Sequence, residues 1–285
     1  MDDDVVKYYS CLSPVLACFC LSVIYVASLY IWSSPHNRDH PSTIKRRFLS
    51  VFIVMLISPV FLYLFLGEKR QNAGLGHVLG LKATGLVPAV AVSLLLTAVL
   101  FLGPLCAQGL AGLRRLCTEP LVQAANLQNL IWLRNHVVAP LSEEFTFRAC
   151  MLPLLLQCFR PMTAVFVCPL FFGVAHFHHM VERMKNGLDF RRALIVSCFQ
   201  FMYTTMFGAY SAFLFVRTGH FAAPLTAHIF CNHMGFPDFA EILTYKDPRR
   251  ACLVCLFVLG LAAWCLLLVP LTNPAWFGNQ LHWRK

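Results

Sequence analysis

The chain has 285 residues, 58% of them apolar and only 13% charged, about half the charged share of a soluble protein. That excludes an ordinary soluble enzyme and places the chain in the membrane. The net charge of +10 does not indicate a nucleic-acid partner, because the Lys and Arg residues fall in short clusters between apolar runs, as membrane-flanking charge does.

At about 20 residues per crossing, about eight spans are predicted, near 12–32, 48–66, 86–106, 132–156, 161–178, 193–216, 221–236 and 251–271. The start, Met1 to Asp4, is acidic, unlike the basic opening of a signal peptide, so the first apolar segment is expected to stay as a span. The fold class is therefore all-α, a polytopic helical bundle with an intramembrane polar cavity. Segment 116–131 reads as a helix on the membrane surface. There is no internal repeat and no low-complexity linker, so residues 1–285 read as one domain.

The odd-numbered loops carry most of the positive charge, with Arg38, Lys45, Arg46 and Arg47 in the first and Arg183, Lys185, Arg191 and Arg192 in the fifth. Arg114 and Arg115, then Lys246, Arg249 and Arg250, continue the pattern. Those loops are expected on the cytosolic side. The chain holds 13 cysteines, most of them inside apolar runs, where a cysteine is a small packing residue. Cys252 and Cys255 have the C-x-x-C spacing but lack the surroundings of a redox or zinc site.

The fourth, fifth and seventh spans carry the chemistry. Glu143, Glu144 and Arg148 lie inside an apolar segment, where ionised groups cost several kcal/mol unless paired or facing a wet cavity. Residues four apart share a helix face, so Glu144 pairs with Arg148 and holds the helix in place. Glu143 points elsewhere and is left free, the setting from which a general base is made. The fifth span ends at His176, with His178 and His179 at the interface. In the seventh, His228 and Asn232 are four apart on one face. Two donors aimed at one point form an oxyanion hole, each worth about 3–4 kcal/mol in the transition state; a plain helix–helix hydrogen bond is worth only about 1 kcal/mol. From spacing alone, both readings of this pair stand.

The order Glu143, Glu144 and Arg148, then Phe172 and His176, then His228 and Asn232 resembles the type II CaaX prenyl endopeptidases, the ABI group of membrane proteases. The motifs cover roughly residues 140–235, and length, hydrophobicity and span number agree with the eukaryotic endoplasmic-reticulum enzymes. The resemblance implies a multi-pass protease that removes the last three residues, aaX, from farnesylated or geranylgeranylated CaaX proteins, Ras-type small GTPases among them, from a site open to the cytosol. It implies that Glu143 activates water with help from His176, that His228 and Asn232 stabilise the oxyanion, and that Glu144, Arg148 and Phe172 support them. No cofactor is expected. A prenyl chain gains about 0.8 kcal/mol per buried methylene, which brings such a substrate to the bilayer.

Two other classes compete. Glu143, His176 and His228 have the donor types of a zinc site, but no H-E-x-x-H motif occurs. A transporter or scaffold would use the charges for ion binding or assembly, yet the inverted repeats of a transporter are missing. A cysteine nucleophile would have to be Cys231, beside Asn232.

Overall fold

The computed structural model describes residues 3–32, 34–109 and 129–282, and of residues 3–10, 69 and 70 the backbone alone. The described residues form helices and no strand. Helix α1 (Asp3–Ser28) packs on α2 (Pro41–Phe65). α2 starts with Pro41, whose missing N–H has no helical partner to lose there, and His40 Nδ1 accepts the N–H of Ser42 at 3.3 Å. α3 (Leu86–Leu100) is followed by α4 (Leu102–Gly109) at a bend of 70°.

Residues 130–155 run as one segment, α5, built from Leu130–Leu133, Arg134–Val138, Ala139–Glu143, Glu144–Met151 and Leu152–Leu155; the second and fourth pieces are π-helical. π turns are rare and concentrate at functional sites. After α5 come α6 (Pro161–Ala175), the short α7 (His178–Lys185), α8 (Phe190–Thr218), α9 (Ala222–Met234), α10 (Phe239–Thr244) and α11 (Arg249–Leu271). Asp189 caps α8 by accepting the N–H of Arg192, and Gly219, at φ +65°, closes it.

Among the described residues five stretches are long and apolar enough to cross a bilayer: Cys11–Ser28, α2, α6 with α7 (Pro161–Lys185), α8 and α11. The bent pair α3–α4 makes a sixth if it is one span. The expected count of about eight is not confirmed, because among the described residues the fourth and seventh predicted spans do not meet this measure of length and hydropathy. α5 carries Arg134, Glu143, Glu144 and Arg148, and α9 has only 13 residues, about 20 Å of helix. These are inner elements. Residues 146–155 of α5 are all buried, whereas α11 presents Val258, Leu261 and Leu266 outward, as a lipid-facing helix does. Of the predicted surface helix 116–131, residues 116–128 lie outside the described residues, as do Arg114 and Arg115. The described cysteines are all free thiols.

Two hydrophobic cores meet at α8. One joins α1, α2, α5, α6 and one side of α8; the other joins α3, α9, α11 and the opposite side. α6 and α8 approach closely because Gly173 faces Thr205 and Phe201, and Gly208 faces Pro169 and Arg148. The polar residues of α5 are thus held between α1, α2, α6 and α9.

Candidate active site

Glu144 is the hub. Its side chain is wholly buried and each oxygen is used. Arg148 Nη1 donates to Oε1 at 3.2 Å, as the four-residue spacing predicted. His228 Nδ1 donates to the same oxygen at 2.7 Å, and the Ser211 hydroxyl donates to Oε2 at 2.5 Å. α5, α8 and α9 are therefore pinned together through one carboxylate. Arg148, also wholly buried, lays its guanidinium 4.2 Å from the centre of the Phe172 ring, a cation–π contact that stands in for water on that face. Gly208 makes room for it: a Cβ there would meet Arg148 Nη2 at 3.0 Å.

Glu143 does something different. It lines a cavity of about 130 Å³ together with Tyr25, Ser142, Phe172 and His176. Its Oε2 lies 3.8 Å from His228 Nε2, too long for a hydrogen bond. His176 is the residue that ends α6. Its Nδ1 donates to the Phe172 carbonyl at 2.7 Å, and its ring meets the Phe172 ring edge-on at 4.6 Å. With Nδ1–H committed to a carbonyl, Nε2 of the neutral ring is a free acceptor. Phe172 thus orients Arg148 through its ring and His176 through its backbone.

His228 and Asn232 do not line the cavity. His228 stands behind Glu143 with Nδ1 on Glu144, so its Nε2 can donate only from a doubly protonated ring. Asn232 Nδ2 donates to the backbone carbonyl of Asn135 at 2.8 Å, and Asn135 is itself part of the cavity wall. The π turn explains that bond. The Ala139 N–H is given to the Arg134 carbonyl, five residues back. The next donor in that register, for Asn135, would come from residue 140, which is proline and has no N–H. The Asn135 carbonyl is left without a helical partner, and Asn232 supplies the donor.

Several participants carried no signal in the sequence. Tyr25 hydrogen-bonds Ser142 at 2.9 Å, and Ser211 reaches Glu144 from 67 residues away. Both are unremarkable residues on apolar helices, and only the packing of α1 and α8 against α5 reveals them. Arg38, Arg47 and Arg134 also line the cavity. Among the described residues no three His, Cys, Asp or Glu side chains converge as a metal cage.

Fold and site together define a polytopic helical membrane protein with a polar cavity among its helices, one carboxylate locked in a buried network and its neighbour facing the cavity beside a histidine. Residues 125–234 match the family model described as type II CAAX prenyl endopeptidase, Rce1-like. The chain is 45% identical over 278 residues to CAAX prenyl protease 2 of Homo sapiens, covering 94% of this chain and 84% of that protein. It is 34% identical over 296 residues to the protein of the same name from Arabidopsis thaliana (94% and 92%), and 33% identical over 294 residues to that of Saccharomyces cerevisiae (87% and 92%). No solved structure matches. The chain belongs to the type II CAAX prenyl endopeptidase family.

Proposed function

We propose that this chain cleaves prenylated CaaX proteins after the modified cysteine and releases the aaX tripeptide, with Ras-type small GTPases among its substrates. The work is done at the endoplasmic-reticulum membrane, and the cavity opens to the cytosol on the side of the basic first and fifth loops. The observation that carries the reading is the split between the two glutamates. Glu144 is fully occupied by Arg148, Ser211 and His228, while Glu143 faces the cavity alongside His176.

In this mechanism Glu143 takes a proton from a water that His176 Nε2 helps to orient. The water oxygen attacks the carbonyl carbon of the peptide bond that follows the prenylated cysteine. The bond to the leaving nitrogen then breaks, and the proton held by Glu143 passes to that nitrogen. The oxyanion falls to His228, through a protonated Nε2, and to the second N–H of Asn232, both of which stand behind the cavity wall and must reach it past Glu143 and Asn135 once substrate is bound. Such donors act most strongly where water is excluded, which holds for the buried His228 and not for the exposed Asn232. Glu144, Arg148 and Phe172 touch no reacting atom; they fix His228 and His176. The reaction needs no metal, since the water is activated by the carboxylate itself.

Tripeptide release from a farnesylated CaaX peptide tests this. Wild type is expected to cleave with or without a zinc chelator, and Cys231→Ala to cleave like wild type. Glu143→Ala and His176→Ala are expected to lose activity while remaining folded. Chelator-sensitive cleavage restored by added zinc would move the same residues into a metal site. A folded wild type that does not cleave would refute the protease reading.

A further inference from the structure

The basic rim of the cavity has no part in the chemistry above. Arg38, Arg47 and Arg134 line the same cavity as Glu143 and His176, while their counter-ions, Asp39 and Glu182, lie outside its lining. Both oxygens of Glu182 are in use. Oε1 accepts from Arg47 Nη2 at 2.8 Å and from the Tyr30 hydroxyl at 3.1 Å. Oε2 meets His179 Nδ1 at 3.1 Å and Arg38 Nη1 at 3.5 Å. Asp39 Oδ1 takes Arg134 Nη1 at 2.8 Å and lies 3.8 Å from Arg38 Nε. Three guanidiniums therefore share two carboxylates, and Nε of Arg47, shielded from solvent, has no acceptor. Burial, and then the adjacent Arg134 charge, push the Arg38 guanidinium below its ordinary range, as surplus positive charge should. Arg134 completes its bonding on neutral acceptors, the Asn135 side chain at 3.0 Å and the Arg38 carbonyl at 3.2 Å, so the net positive charge at this wall favours an incoming anion.

We propose that Arg38, Arg47 and Arg134 receive the free C-terminal carboxylate of the substrate and so set which peptide bond comes to Glu143. This rests on the protease reading above. The distances agree. A tripeptide separates the cleaved bond from the terminal carboxylate, about 10 Å when extended. Arg134 precedes Glu143 by nine residues along α5, about 13 Å of helical rise, and the long arginine side chains close the difference. Guanidinium pairs with carboxylate in a planar two-point fork, so the rim selects a chain terminus over an internal segment. The three arginines are specificity-determining residues and take no part in bond breaking.

The test uses the full chain in lipid nanodiscs and two farnesylated CaaX peptides, one with a free carboxylate and one with a C-terminal carboxamide. Charge-assisted hydrogen bonds of this kind correspond to about a ten- to hundredfold preference. Wild type is expected to favour the acid by that factor in kcat/KM, mainly through KM. Arg38→Gln and Arg134→Gln should each reduce the preference, and the double variant should bring it to within about twofold by slowing the acid alone. The preference is a ratio within one protein, so partial misfolding does not change it. Equal cleavage of acid and amide by wild type would overturn the clamp and leave the protease reading standing. An undiminished preference in the double variant would overturn the assignment to these arginines. Cleavage of neither peptide by folded wild type would overturn both readings.

Discussion

Replacing Glu144 with alanine removes the acceptor for Arg148, Ser211 and His228 in one step. Arg148 is wholly buried and keeps only the face of Phe172, 4.2 Å away, as a partner. Stranding one member of a buried ion pair costs about 3–5 kcal/mol, and the desolvated cation–π contact, about 2 kcal/mol, is already present in the wild type and offsets none of it. Glu144→Ala is therefore expected to destabilise the fold by about 3–5 kcal/mol. Glu143→Ala removes a side chain that faces a cavity and whose nearest basic group, His228 Nε2, is 3.8 Å away, beyond hydrogen-bond reach; it should cost less than about 1 kcal/mol. The buried thiols of Cys18, Cys150 and Cys168 provide the assay. After exposed thiols are blocked in detergent, their labelling on heating reports opening of the core around α5. The expected order is an early melt for Glu144→Ala and a wild-type melt for an inactive Glu143→Ala. If Glu144→Ala melts with wild type, or Glu143→Ala falls as far, the division between hub and free carboxylate is wrong.

Asn232→Ala separates two roles for one amide. Loss of an oxyanion donor lowers kcat by about a hundred- to a thousandfold, whereas loss of a helix–helix hydrogen bond alone costs about 1 kcal/mol of stability. We expect the larger kinetic effect with KM little changed; a fall of kcat under tenfold would argue against the oxyanion role. Gly208→Ala places a methyl 2.9 Å from Pro169 Cβ and 3.0 Å from Arg148 Nη2. Overpacking of this kind costs about 1–3 kcal/mol, and the displaced guanidinium should also lower kcat; wild-type stability and rate together would show that α6 and α8 separate more easily than their packing implies.

Much of the architecture could be read from hydropathy, because α1, α2, α8 and α11 owe their existence to apolar runs long enough for a bilayer. The count of spans could not. α5 and α9 are sheltered by other helices, so their composition answers to protein and cavity rather than lipid. The Glu144–Arg148 pair was legible because helical spacing alone brings the two together. The bond from His228 to Glu144 was not, since it joins residues 84 apart and depends on how α9 lies across α5. Periodicity assigned His228 and Asn232 to one face correctly, yet gave no hint that the nearest polar groups would be a carboxylate for one and a bare carbonyl for the other. Arg38 and Arg47 entered the sequence reading only as loop charges that set orientation; their place in the cavity wall follows from the fold of α1 and α2 over α5.

The missing amide hydrogen of Pro140 makes two distant positions answer to each other. A residue with an N–H at 140 could serve the Asn135 carbonyl within α5 and would compete with Asn232 for it, weakening that tether. The side chain of Asn232 would be freer to rotate, while the side-chain bonds of Glu144 and His176 stay as they are. Pro140→Ala should thus resemble Asn232→Ala in its kinetic defect, and the double variant should be little worse than either alone. A gap in the backbone of one helix, and not only a feature of its own, fixes where the amide of another helix points.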